Sequence, residues 1–197
     1  MYPGEIAICN VALARLGCET IRDFDEDNKA ARLCKVLYPF YRDRVLENYT
    51  WGFARKIASL TLLDDTNSLG SFVYQRPSDC LMPIDILPLG SKDKWYVVGN
   101  TIVTDIESAE LFYTFQQDNP ETFNFSFRQA LVAVLMAALA PGMVQDKGLA
   151  GQLMQEAKLE EALYQAKDAN TGSEYRVPDD DPNQDTFVTG GYTSTET

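Results

Sequence analysis

Apolar residues at spacings of three and four, Ile6, Cys9, Leu13 and Leu16, predict a first helix whose stripe ends at Gly17, a natural C-terminal cap. The acidic turn from Asp23 to Asp27 then supplies N-cap residues and charge suited to the positive end of a second helix, expected from about Asp27 to Asn48. On it Leu37, Tyr41, Val45 and Asn48 share one face, while Arg42, Asp43, Arg44 and Glu47 fall mostly elsewhere. Pro39 removes a backbone donor and predicts a kink or break near Leu37. Trp51 and Phe53 flank Gly52, so the chain is expected to leave this helix through an aromatic joint, to which Tyr38, Arg42 and Asp43 also belong.

Residues 55 to 116 change period. Ile57–Leu63 and Leu111–Phe115 read as strands, and Trp95–Val98 with Thr101–Thr104 around Gly99-Asn100 reads as a hairpin. Pro77, Pro83 and Pro88 make Leu81–Leu87 an edge strand at best. The helical period returns with Phe127, Leu131, Val134 and Ala138, in a segment apolar on most sides that Pro141-Gly142 is expected to end. A fourth helix from about Asp146 to Asp168 carries Leu149, Leu153, Ala157 and Tyr164, while Leu159 and Leu163 begin a second stripe. From Asn170 the chain is too polar to offset its own ordering entropy, yet Tyr175, Val177, Phe187 and Tyr192 are spaced like anchors for a partner. The expected fold is α+β, mainly α: a four-helix bundle (1–54 and 120–169) with an inserted small antiparallel β-subdomain (55–119) and an extended, flexible C-terminal arm (170–197).

Composition narrows the chemistry. The 197 residues suit one domain, and a net charge of −12 disfavours tight, sequence-independent binding of nucleic acid, which depends on neutralising phosphates. No basic run suggests a membrane surface, and Ala130–Ala140 is too short to cross a bilayer, so no membrane partner is expected. Met-Tyr-Pro-Gly-Glu has no positive region leading into an apolar core, so synthesis in a cytoplasm is expected. Cys9, Cys18, Cys34 and Cys80 form no Cys-x-x-Cys pair, and three of them fall within apolar patterns, so they are read as buried thiols packed like small hydrophobes, with disulfides or a metal site as the alternative. Histidine is absent, removing the commonest general base and metal ligand. The carboxylate clusters Asp64-Asp65 and Asp179-Asp180-Asp181 sit in stretches that nothing holds in place, and no glycine spacing cradles phosphate. No catalytic residue, cofactor or metal is expected. Lys29, Arg32, Lys35, Arg42 and Arg44 give the second helix a basic character, read either as a solvated or internally paired face or as a contact between subunits through Arg32, Lys35 and Arg44.

The order of several motifs is similar to that of the head-to-tail adaptors of short-tailed bacteriophages, of the tail tubular protein A type. The resemblance is carried by Ala14-Arg-Leu-Gly17, the acidic turn, Cys34, Tyr38, Arg42-Asp43 and Leu46 running into Trp51-Gly-Phe53-Ala54, then Arg76-Pro-Ser-Asp-Cys80, the hairpin at Gly99-Asn100 and Phe127-Arg-Gln-Ala-Leu131. It covers roughly the first 170 residues. It implies a non-enzymatic virion protein at the head–tail interface: a dodecameric ring that joins the capsid portal to the tail nozzle, offers a platform for tail fibres and leaves a channel for DNA. The arm residues Tyr175, Val177, Phe187 and Tyr192 are matched to portal docking, although the arm resembles the family least. A neck or head-completion protein of a long-tailed phage is the alternative of the same class, and a small carboxylate-dependent hydrolase the alternative from another.

Overall fold

A computed structural model describes residues 4–63, 72–88, 94–144 and 147–171. Among these, helices α1 (Gly4–Arg15) and α2 (Lys29–Glu47) precede seven strands, and α3 (Phe125–Met143) and α4 (Lys147–Thr171) follow them. The strands are β1 (Arg55–Ser59), β2 (Thr61–Leu63), β3 (Phe72–Gln75), β4 (Cys80–Leu87), β5 (Trp95–Val98), β6 (Thr101–Thr104) and β7 (Glu110–Phe115). The arm residues Tyr175, Val177, Phe187 and Tyr192 lie outside the described residues, as do the aspartates of both clusters.

Local chemistry explains the helix ends. Gly17 takes φ +69°. The amides of Gly17 and Cys18 turn back to the carbonyls of Ala14 and Leu13, the pair of bonds that closes a helix through a left-handed residue. Asn28 caps α2 by accepting the Ala31 amide at 2.8 Å. Asn124 caps α3 the same way through Phe127. Neither proline breaks a helix. α2 runs on through Pro39, which is exposed to solvent. α3 runs on through Pro141-Gly142 to Met143, and a Cβ at Gly142 would lie 2.9 Å from Leu33 Cδ1, so this glycine serves as the seat of a side chain from α2 and not as a stop.

The four-helix bundle with one small inserted sheet is not what forms. α3 is apolar all round and nearly every residue from Phe127 to Ala140 is buried. α1, α2 and α4 each pack on this one helix and hardly on one another, so the helices form three spokes on a hub. A bundle needs each helix to present one stripe to a shared seam, and a helix without a polar face instead demands cover on all sides.

The strands form two antiparallel sheets, ordered β1-β7-β4 and β2-β3-β6-β5. The run read as one strand over Ile57–Leu63 changes sheet at Leu60, whose amide bonds the Ala109 carbonyl while β1 pairs with β7 and β2 with β3. β4 is an edge strand with irregular register near its proline, as Pro83 predicts. Tyr74 and Ile102 from the larger sheet and Cys80, Ile86, Leu111 and Tyr113 from the smaller one share a second hydrophobic core, separate from that around α3.

Candidate functional site

The aromatic joint is built from both ends of the helical part. Trp51 is fully buried and its Nε1 donates to the Val45 carbonyl at 2.8 Å, so the indole is held by the last turn of the helix it follows. Its ring meets Tyr49 and Phe127 edge-on, with centroids 4.9 and 5.2 Å apart. Phe53, half-buried, packs on Phe127 at 5.1 Å and on Phe123 at 5.7 Å. Phe127 thus receives Trp51 and Phe53 from one side and Phe123 from its own chain neighbourhood, which fixes where α3 starts relative to where α2 ends.

Arg42 does not lie away from the packed face. It is buried, and its Nε donates to Asp43 Oδ1 at 2.7 Å, while Asp43 Oδ2 accepts from Gln116 Nε2 at 2.7 Å just beyond β7. This chain of three ties α2 to the end of the smaller sheet. Tyr38 is buried one turn earlier, and its hydroxyl finds no partner among the described residues. Burial pushes its phenol far above the usual range, assisted by Glu5 and opposed by Arg42. Cys9 and Cys34, both buried, face each other between α1 and α2; their thiol contact and burial hold the Cys9 thiol far above its ordinary value. All four cysteines are free thiols.

The three basic residues assigned to a subunit contact all have partners within the chain. Arg32 pairs with Asp27 at 2.7 Å and Lys35 with Asp25 at 2.6 Å, both on the surface. Arg44 lies over the Tyr41 ring at 5.5 Å and reaches Glu161 at 3.9 Å.

Sequence patterning did not single out the acids of α4. Glu160 pairs with Arg15 of α1 at 3.1 Å. Glu161, buried, accepts from Asn48 Nδ2 at 3.2 Å. Asp168, also buried, accepts from the Gly52 amide at 3.4 Å and from Asn124 Nδ2, so one carboxylate joins α4 to the aromatic joint and to the cap of α3. Against α3 itself α4 sets Ala157 beside Ala133 and Ala137, a contact of small side chains that lets the two backbones approach closely.

A second cluster lies in an open cleft of about 600 Å³ beside the smaller sheet. Lys56 Nζ pairs with Asp79 Oδ2 at 2.7 Å, and Tyr113 Oη donates to Asp79 Oδ1 at 3.0 Å. The Lys56 amine is held above its usual range chiefly by its hydrogen bond to Asp79. Partial burial works to raise the Asp79 carboxyl, but the bonds from Lys56 and Tyr113 outweigh it and hold it low. Burial and Asp79 raise the Tyr113 phenol. Cation, anion and neutral phenol are therefore each stabilised across neutral pH, the reverse of the poise that proton transfer uses. Arg76, from the same turn, donates to the carbonyls of Cys80 and Leu81 at 2.6 and 2.9 Å, so Arg76-Pro-Ser-Asp-Cys80 closes a turn. Among the described residues no group of three or more acids and cysteines is gathered to hold a metal.

α3 corrects one expectation about length: at 19 residues it is long and apolar enough to cross a bilayer, although Ala130–Ala140 alone is not. Its side chains are taken up by α1, α2 and α4, which makes it a core helix here. Comparison of the chain with protein-family models and with curated proteins gives no match.

Proposed function

We propose that the chain is a structural virion protein, an adaptor whose copies form a ring between the capsid portal and the tail nozzle of a short-tailed phage and leave a channel for DNA. One observation carries the reading. Two of the motifs behind the resemblance, Trp51-Gly-Phe53-Ala54 and Phe127-Arg-Gln-Ala-Leu131, are far apart in sequence yet meet as one aromatic cluster, so they act as a unit of architecture. Arg42-Asp43, a third motif, is spent on tying α2 to the end of β7. Conserving geometry between helices and sheets is the task of a building block, whose copies must present identical surfaces to one another and to a portal. The excess of acids suits a wall past which DNA slides, since carboxylates repel phosphate.

The test is direct. Full-length protein is mixed with DNA-filled heads that carry a portal but no tail, and the particles are imaged by electron microscopy. A ring at the single portal vertex is expected; heads that remain bare at saturating protein would refute the adaptor reading.

A further inference from the structure

Cys9 of α1 and Cys34 of α2 are both fully buried, and both belong to the hydrophobic cluster around α3. The facing of the two helices extends over a full turn. Glu5 and Cys9 stand one turn apart on α1, as do Cys34 and Tyr38 on α2. Glu5 and Cys9 both raise the Tyr38 phenol, so the Glu5/Cys9 edge of one helix lies against the Cys34/Tyr38 edge of the other. Between these edges the two thiols hydrogen-bond each other. The remaining cysteines lie elsewhere: Cys18 turns to the Leu16 carbonyl at 3.8 Å, and Cys80 sits in the core between the sheets.

We infer that Cys9 and Cys34 are a redox pair, two thiols that hydrogen peroxide converts into a disulfide joining α1 to α2. The contact already supplies the proximity that a disulfide needs, and side-chain rotation takes the sulfurs from contact to bond while the helices stay in place. Cys34 is the attacking sulfur, because its bond to Cys9 lowers that thiol against the pull of burial. It attacks one peroxide oxygen, the O–O bond breaks, and Cys34 becomes a sulfenic acid while the departing hydroxide takes the Cys34 proton and leaves as water. The Cys9 sulfur then attacks the Cys34 sulfur. The S–O bond breaks, and the hydroxyl leaves with the Cys9 proton as a second water. The thiols together lose two electrons and one peroxide gains them. Burial slows the approach of the oxidant without changing the direction of the reaction, and a molecule this small enters a packed core through local opening.

The bond adds a link that the fold otherwise lacks. α1 and α2 each pack on α3 and hardly on one another, so these two spokes are held chiefly through their hub. A disulfide closes the chain from Asn10 to Leu33 into a loop, which includes the Gly17 cap and the acidic turn, and restricts the unfolded chain accordingly. In a reducing cytoplasm the pair stays open, and in oxidising surroundings it closes. For a virion protein this means assembly with free thiols and a fastened α1 after release from the cell. That timing rests on the adaptor reading; the chemistry of the pair does not.

The experiment uses the full chain, purified with reductant, freed of it and kept folded with hydrogen peroxide. Remaining thiols are counted by alkylation in denaturant, and mass spectrometry of peptides locates the link. Two of the four thiols should disappear into a peptide pair that carries Cys9 and Cys34. The melting temperature should rise by roughly 5–10 °C and fall back with dithiothreitol. Cys34→Ala should give neither link nor rise. Because that change lies in the core, Cys18→Ala/Cys80→Ala serves as a second variant, which keeps the pair and should show both the link and the rise. Four intact thiols after exposure, a link between other cysteines, sulfinic acid at Cys34 without a link, or a rise that survives in Cys34→Ala would each overturn the inference. A link in a protein that leaves portal-bearing heads bare sinks the adaptor reading and keeps the pair, whereas rings on heads with no link do the reverse.

Discussion

Single side chains at the joint carry unequal weight, and burial with bonding ranks them. Trp51 is enclosed, bonded and flanked by two rings, so Trp51→Ala removes packing that neighbours cannot refill and is predicted to cost about 3–5 kcal/mol. Urea melts measure it; a midpoint equal to wild type would mean the ring is not a core element. Tyr38 is the opposite case, a buried phenol whose oxygen is unsatisfied among the described residues. Tyr38→Phe is expected to be neutral or to stabilise by up to about 1 kcal/mol, because it removes a desolvated hydroxyl. The same residue sets a pH dependence. Its folded pKa is raised, so the unfolded chain loses the proton first, and stability falls as pH rises above the ordinary tyrosine value of about 10. Tyr113 adds to that slope in the same direction. Stability measured between neutral pH and strong alkali should decline less steeply in Tyr38→Phe, and an identical decline would show that the phenol ionises freely in the fold.

At the scale of elements, what was legible in the sequence is what local pattern encodes. Gly17 as a cap, the hairpin at Gly99-Asn100 and the edge character of β4 are all written within a few residues of where they act. Partner choice is not local. An apolar run tells which residues are covered but not that Leu60 crosses between sheets, and β3 is a four-residue strand too short to stand out beside Arg76-Pro77. Arg42 and Asp43 read as part of the joint, but the bond from Gln116 to Asp43 arrives from distant sequence, and the acids of α4 acquire meaning only when Asn48, Gly52 and Asn124 come near. Pro39 does not break α2, and Pro141-Gly142 stands in the last turn of α3, which ends at Met143. The alanine contact of α3 with α4 yields its own prediction: Ala137→Leu inserts volume where backbones are close and should destabilise by about 1–3 kcal/mol by thermal unfolding, whereas an unaltered melting temperature would mean that α4 sits further from α3.

At the scale of the whole molecule, the described residues, all before position 172, form the two hydrophobic cores described above. A chain ending at Thr171 is therefore predicted to keep the helical circular dichroism signal and melting temperature of the full protein. If Tyr175, Val177, Phe187 and Tyr192 act as portal anchors, that shortened chain will sediment normally yet fail to decorate portal-bearing heads. Decoration equal to that of the intact protein would move the dock onto the helical body.

A hub helix without a polar side also imposes an order on synthesis. The ribosome releases α3 before α4, and until the later helix emerges the Ala133 and Ala137 flank has no cover from its own chain. During that interval the nascent protein displays a segment that, by length and hydropathy, passes for a membrane anchor. The short connection between Met143 and Lys147 limits the interval to the time needed to make one more helix, on the order of a few seconds at ordinary elongation rates. An α3 that has left the ribosome before α4 is an adhesive intermediate, so slow passage through the residues that follow α4 is expected to raise aggregation in a cell without any change in the stability of the finished fold.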